Sequence, residues 1–268
     1  MPGELQVTVV VLCRNNPAAL ATTLDSVISQ RLPSQVLVID GSDDDGCEQV
    51  LITRQGDANL LYEHSKPKGP YIAMNRALAL TVTPWLHFLH SGDRFFDAFS
   101  LSALVLHARR IQAEAGEAPA AVFGQALIEA SGSAELRWLS PDPRMRRVSR
   151  WLRLMVPCHQ AVLFSTPWAQ QHPYDPRNVI CADRPVMRQA LGETGQVAYL
   201  PRPICRFRLD GVSSQLPSWA ELRRRWREPG RTSQERLGEL AKFLAQPLTG
   251  HYPLAMRVRS RLIGWLCR

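Results

Sequence analysis

The chain has 268 residues, 45% of them apolar and 21% charged, enough to bury a core in one full α/β domain with an accessory segment, or in two small domains. A peptide-sized, fibrous or globally disordered protein is excluded. The net charge of +8 is uneven: residues 1–100 hold seven Lys/Arg against eleven Asp/Glu, whereas 101–268 hold twenty-five against thirteen, so the two parts face different partners.

Gln6 to Cys13 (QVTVVVLC) is a β-branched run without polar alternation, the pattern of a strand buried on both faces of a parallel sheet. Arg14-Asn15-Asn16-Pro17 follows as a loop, and Leu20, Leu24, Val27 and Ile28 recur at helical spacing until Leu32-Pro33. Gln35 to Ile39 repeats the buried-strand pattern and ends in the acidic turn Asp40 to Gly46, ahead of a short helix from about Cys47 to Arg54. Leu60 to Glu63 is a weak strand, Lys66 to Pro70 a loop, and Tyr71 to Leu80 a helix with Ala73, Ala77 and Leu80 on one face. Trp85 to Leu89 is a further strand that runs into His90-Ser91-Gly92-Asp93. Open parallel sheets bind ligands outside the carboxyl ends of their strands, so these polar loops should converge on one site. Phe99 to Glu114 reads as a helix, Ala121 to Ile128 as a strand, and Arg137 to Arg153 as a basic stretch broken by prolines. Ala161 to Phe164, Val197 to Leu200 and Ile204 to Arg208 read as strands, and Cys181 to Leu191 as a helix. From Pro217 the composition turns to Arg-rich helix, which puts a domain boundary near residue 215, between a unit of 1–215 and an extension of 216–268.

The six cysteines (13, 47, 158, 181, 205, 267) stand singly, the usage of a reduced, cytosolic protein. MPGELQ lacks the basic and apolar regions of a signal peptide, and no apolar run approaches the roughly 20 residues that span a bilayer, so a soluble, cytoplasmic chain is expected. Of the 32 cations 29 are arginine. This reflects either phosphate contacts, which suit arginine's planar fork, or a general arginine bias of the source.

The order Asp40-Gly41-x-x-x-Asp45-Gly46, then Gly69-Pro70-Tyr71-Ile72-Ala73-Met74-Asn75-Arg76, then Phe88-Leu89-His90-Ser91-Gly92-Asp93 resembles family 2 glycosyltransferases, in particular the bacterial branch with motifs VDGxSTDGT, GIYDAMNKG and FLNSGDxF. The likeness covers roughly residues 5–213, with His159-Gln160, Ala182-Asp183 and Phe207 to Ser213 in matching order. It implies the GT-A fold, a Rossmann-like α/β architecture with a mixed, mostly parallel central sheet flanked by helices, here with a C-terminal helical extension. It implies transfer of a sugar from a nucleotide-diphosphate donor to a saccharide or lipid-linked acceptor in cell-surface polysaccharide synthesis.

The chemistry asks for such residues. Negative charge builds on a departing diphosphate, and a divalent cation on a carboxylate offsets it. By the resemblance Asp93 is the ligand of Mg²⁺ or Mn²⁺, with Ser91 in the place of the usual first Asp of an Asp-x-Asp pair. Asp40 and Asp45 match the positions that hold the nucleotide, although Asp and Gly are also what any tight turn uses. Asp43 and Asp44 have no such match and read as solvated. Arg14, with Asn15 at the tip of the first strand, either lines the base pocket or is a polar helix-entry residue. Asn75 and Arg76 match an Asn-Lys pair whose cation meets diphosphate or a sugar carboxylate, or else Arg76 is a solvated helical residue. Ser91, Gly92 and, beside the last motif, Arg206 or Arg208 join the donor-binding set by the resemblance. Asp183 matches the base that takes the acceptor proton in an inverting transfer, or else caps a helix. His159 and Gln160 match an acceptor-side pair, or pack as a hydrogen-bonded pair beside a strand.

Ile72 departs from the pattern, which usually has Asp there, and an aliphatic group cannot bond sugar hydroxyls. Together with the missing first Asp and the basic second half, this keeps open a non-catalytic relative that binds nucleotide or polyanion. The first strand leads into RNNP without a dinucleotide fingerprint, no Cys/His spacing matches zinc, and no nucleic-acid-binding module is visible. In the tail, WAELRRRWR (219–227) and MRVRSRLIGWLCR (256–268) mix Arg with Trp, Leu and Ile at helical spacing. Such helices either lie on an anionic membrane surface or pack an apolar stripe on the domain.

Overall fold

The computed structural model describes residues 5–54, 59–66, 68–130, 136–178, 182–193, 197–209, 218–228, 232–249 and 252–268. Strand β1 (Val7–Cys13) pairs in parallel with β2 (Gln35–Asp40) on one side and β4 (Trp85–Phe88) on the other, and β2 pairs in parallel with β3 (Leu60–His64). Beyond β4 lie β8 (Val162–Ser165), antiparallel to it, then β6 (Ala121–Glu129), antiparallel to β8, then β9 (Val197–Arg208), parallel to β6. The two-residue β5 (Arg94–Phe95) closes the far edge and β7 (Arg137–Ser140) forms a hairpin with β6. The spatial order is β3-β2-β1-β4-β8-β6-β9-β5.

The continuous apolar runs have a simple cause. Val7, Val9, Val11 and Cys13 enter one core beneath the sheet, and Val10 enters a second core on the opposite face, so both sides of the pleat are apolar. Helix α1 (Pro17–Ile28) buries Leu20, Thr23, Leu24 and Val27, and starts at Asn16, whose side chain accepts from Ala19 N. Short α2 (Gly46–Ile52) follows β2. Helix α3 (Pro70–Leu80) buries Tyr71, Met74, Ala77 and Leu78. The expected stripe through Ala73 and Leu80 is therefore rotated, and those two pack only at the margin of the core. Helix α4 (Ser100–Ala115) ends at Gly116, whose φ of 81° suits only glycine well.

The basic stretch after β7 contains α5 (Val148–Leu154), and α6 (Thr166–Gln171) follows β8 directly. Helix α7 (Asp183–Glu193) precedes β9, and the tail forms α8 (Trp219–Trp226), α9 (Ser233–Thr249) and α10 (Tyr252–Leu266). The expected boundary near 215 lies outside the described residues. Helix α10 does not hang free: the carbonyl of Cys267 accepts from Arg146 N and Arg147 N at 3.2 and 2.9 Å, and Cys267 is wholly buried. Among the described residues no helix is long and apolar enough to cross a membrane.

Candidate active site

Strand directions decide where the polar loops meet. β1, β2, β3, β4, β6 and β9 all run the same way, so Arg14, Asp40, Ser91 to Asp93 and Arg208 follow their ends at one rim of the sheet. β8 runs the opposite way, which brings the 3₁₀ turn His159–Ala161 before it to the same rim. Helix α3 starts after the loop from β3, so Tyr71 stands there too. This is the crevice outside the strand ends, at the point where chain order reverses between β1 and β4.

The loops after β1 and β2 are laced together. Asp40 is fully buried; its Oδ1 accepts from Ser42 N at 2.8 Å and Ser42 Oγ at 2.6 Å, and its Oδ2 from Tyr62 OH at 3.1 Å. Ser42 Oγ in turn accepts from Asn15 N at 2.8 Å. Asn15 Nδ2 donates to Asp43 Oδ2 at 2.8 Å while Asp43 N donates back to Asn15 Oδ1 at 2.9 Å, and Arg14 pairs with the same carboxylate at 3.3 Å. These bonds hold Asn15 at φ 50°, a conformation asparagine tolerates better than most residues. They also hold the Asp43 carboxyl below its usual range, through the Asn15 hydrogen bond first and Arg14 second. Asp43, expected to be merely solvated, is thus the clasp between the two loops. Asp44 Oδ1 accepts from Gly46 N at 3.0 Å and shapes the turn into α2, while Asp45 is exposed beside Gln49.

The turn after β4 is shaped by Gly92, at φ 97°, and clamped by Thr23 from α1. Thr23 Oγ1 accepts from Gly92 N at 2.9 Å and donates to the Asp93 carbonyl at 2.8 Å. Asp93 is 5% exposed, and its Oδ1 accepts from Arg208 N at 3.1 Å. Two residues earlier, the buried Ser91 Oγ has no hydrogen-bond partner. A buried hydroxyl without a partner costs free energy that a bound polar ligand returns. Asp93 carboxylate with the Ser91 hydroxyl is an oxygen set that fits Mg²⁺ or Mn²⁺.

Cys13, Asp40 and Cys47 also bring their ligand atoms within 4.8 Å of one another. Burial, aided by Asp40, pushes the Cys13 thiol far up, so it stays protonated, and both Asp40 oxygens are already engaged. This cluster is core packing beneath the loop.

On the other flank, Tyr71 OH donates to Asp183 Oδ1 at 3.3 Å, and the Tyr71 ring stacks on Tyr174 at 5.8 Å between centroids. Asn75, one turn further along α3, grips the Tyr174 backbone from both sides, donating to its carbonyl and accepting from its N–H, each at 2.8 Å. Tyr174 OH lies 2.8 Å from His159 Nε2, and the His159 ring stacks parallel to that of His90 at 6.2 Å. A continuous chain of contacts therefore joins Asp183 to the turn that carries Asp93. Burial raises the Asp183 carboxyl above its usual range, with Arg184 and the Tyr71 hydrogen bond offsetting part of the rise. Burial also lowers His90 to about 4 and His159 well below its ordinary value, which leaves both rings neutral.

Asp93, Ser91, Gly92, Arg14, Asp40, Asp183 and Arg208 thus share the rim, with the Asp40 carboxylate turned inward. Asn75 and Arg76 have other duties: Asn75 holds the Tyr174 segment, and Arg76 reaches Glu63 with two bonds of 2.7 and 2.9 Å. His159 and Gln160 are buried among Phe88, Phe164, Tyr174 and Cys158 rather than at the mouth. Ile72 is 40% exposed on the first turn of α3. Positions 210–213 of the last motif lie outside the described residues. Thr23, Ser42, Tyr62 and Tyr174 escape a sequence reading. Only Thr23 carries a signal there, as a polar residue inside the apolar stripe of α1.

A buried carboxylate turn at the strand ends, with a second carboxyl of raised pKa on the flanking helix, is the kind of titratable pairing that marks a candidate site on an α/β sheet. The chain matches the model of glycosyl transferase family 2 over residues 8–165. It is also 30% identical over 220 residues to an uncharacterized glycosyltransferase of Mycobacterium tuberculosis, covering 80% of this chain and 79% of that one. The chain therefore belongs to glycosyl transferase family 2 and is a glycosyltransferase. Among solved structures, TarS of S. aureus (residues 1–349, in complex with UDP-GlcNAc) aligns with a TM-score of 0.62 at 14% identity, over 90% of this chain and 72% of that one. The mannosyltransferase PcManGT of Pyrobaculum calidifontis, in complex with GDP-Man and Mn²⁺, aligns at 0.56 and 15% identity, over 98% and 74%. Both share the GT-A fold with this chain.

Proposed function

We propose that this rim moves a sugar from a nucleoside-diphosphate donor to a hydroxyl of a saccharide or lipid-linked acceptor, with inversion, in the building of cell-surface polysaccharide. One observation carries the reading: Asp93 and Asp183 come from distant parts of the sequence to one rim, the first beside an unpartnered buried hydroxyl and the second with its carboxyl raised by burial. The family and the donors held by TarS and PcManGT support a nucleotide donor.

In this reading the nucleotide lies over the laced loops, whose shape Asp40 sets from below through Ser42, with Asp45 and the Arg14 guanidinium at their surface. Asp93, with the Ser91 hydroxyl from the same turn, would hold Mg²⁺ or Mn²⁺. A cation there supplies counter-charge to the departing diphosphate. Arg208 adds positive charge on the same side. Asp183 takes the proton of the acceptor hydroxyl as that oxygen attacks the anomeric carbon from the face opposite the diphosphate, and this in-line displacement inverts the carbon. A carboxyl raised by burial is a stronger base once ionised, and Tyr71 directs one of its oxygens.

Asp183→Asn tests the assignment because it keeps shape and removes basicity. Transfer should fall at least about 10³-fold while donor affinity changes less than about twofold. Transfer at the native rate would remove Asp183 as base. Absence of transfer by the native chain from UDP, GDP and dTDP sugars alike would favour a non-catalytic binder.

A further inference from the structure

Helix α10 carries Arg257, Arg259, Arg261 and Arg268 at or next to it and no acidic residue. One of its faces is already spent on the domain. Met256, Ser260, Ile263 and Cys267 recur at helical spacing, with Ser260 and Cys267 buried and Met256 and Ile263 packed on the two cores. At Gly264 an added Cβ would stand 2.6 Å from Asp142 Cβ, so helix and domain are in close contact.

The opposite face should then be polar, as on any surface helix. Instead it presents Leu254, Val258, Leu262 and Trp265, with Leu262 58% and Trp265 65% exposed. At 100° per residue these four fall within an arc of about 80°. Arg257, Arg261 and Arg268 border that arc on one side and Arg259 lies beyond Leu266 on the other, with Arg261 and Arg268 exposed. The tail as a whole, residues 216–268, holds eleven Lys/Arg against four Glu, a net +7.

We propose that this outer face of α10 seats the protein on an anionic lipid bilayer, its leucines and tryptophan entering the headgroup boundary and its flanking arginines meeting lipid phosphates. An apolar stripe bordered by arginines is the pattern of a helix lying in the membrane interface, and each cation near an anionic leaflet adds attraction that salt screens. Arg268 also lies 4.0 Å from Asp142 of the domain, whereas Arg261, in the middle of that border, is exposed. A border with cations and no acid of its own complements an anionic surface better than a protein partner of mixed charge. The inference does not depend on the transfer chemistry, and it puts the enzyme where lipid-linked acceptors reside.

The test is co-sedimentation of the full chain with vesicles of phosphatidylcholine and phosphatidylglycerol, and with vesicles of phosphatidylcholine alone. The full chain should pellet with the anionic vesicles and release as salt rises. The double substitution Leu262→Ser with Trp265→Ser, and separately Arg261→Glu, should each cut the bound fraction about tenfold with the melting temperature unchanged. Failure to bind anionic vesicles overturns the proposal, as does equal binding by the variants. A fall in melting temperature shows that the face serves the fold and overturns it as well. Sedimentation velocity completes the set: a dimer that the same substitutions dissolve, without vesicle binding, would show instead an interface between two copies.

Discussion

Tyr71 and Asp183 are 112 residues apart in sequence and meet only because α3 and α7 start at the same rim. The phenol O–H favours the ionised carboxylate, while burial opposes it, and burial is the larger effect. Tyr71→Phe removes the first and keeps the second, so the Asp183 carboxyl should rise further. In the proposed role Asp183 acts when ionised, so the acidic limb of the pH–kcat profile should move up by about one pH unit, the scale of a hydrogen bond to a charged group. A limb that stays in place would show that Tyr71 only packs. That Asp93 and Asp183 would stand at the strand-end rim was legible because each sits in a short motif whose order repeats that of a known family. Their supporting residues were not. Tyr174 has no motif of its own, and Asn75 reads as a donor ligand until Tyr174 is seen held between its two amide atoms. Asp43 reads as solvated because its partners Arg14 and Asn15 lie on another loop.

Among the elements, β1 and β2 were plain in the sequence because strands buried on both faces are written as runs rich in Val, Leu and Ile, whereas the half-exposed β3 gave only a weak signal. The mixed half was not. β5 is two residues long, β7 is a hairpin edge, and α6 begins where β8 ends, too short to show a period. β9 reads as two strands because Pro201-Arg202-Pro203 interrupts it. It is one strand with a register shift, in which Pro203 stands opposite Gln125 at a break in the ladder where a missing N–H does least harm. Gly124 lies at that break. A Cβ there would run into the Ile204 side chain and stand 2.8 Å from the Arg202 carbonyl oxygen, a backbone atom that cannot swing aside. Gly124→Ala should therefore lower unfolding free energy by about 1–3 kcal/mol in urea titration, and an unchanged midpoint would mean that the bulge is slack.

Over the whole molecule, the charge asymmetry of the sequence divides into two uses. Part of the tail's arginine is internal: Arg225, 2% exposed, pairs with Glu221 of its own helix at 2.6 Å and joins α8 to α9 through the buried Glu239 at 3.8 Å, a buried pairing that makes Glu239 costly to remove. Others, among them Arg223, Arg224, Arg227, Arg261 and Arg268, are exposed, and the last two lie on the flank of the apolar face described above. The acidic first hundred residues supply the rim, where β1 to β4 present Arg14, the laced loops and Asp93 together. Calorimetric titration of UDP, GDP and dTDP, with and without Mn²⁺, into the native chain and into Asp93→Ala measures directly whether that rim is a nucleotide-diphosphate and cation site. One of the three should bind the native chain only weakly without Mn²⁺ and at least about tenfold more tightly with it, and Asp93→Ala should lose that gain. No binding by any nucleotide in the presence of Mn²⁺, or the same Mn²⁺-dependent gain in Asp93→Ala, would contradict the account.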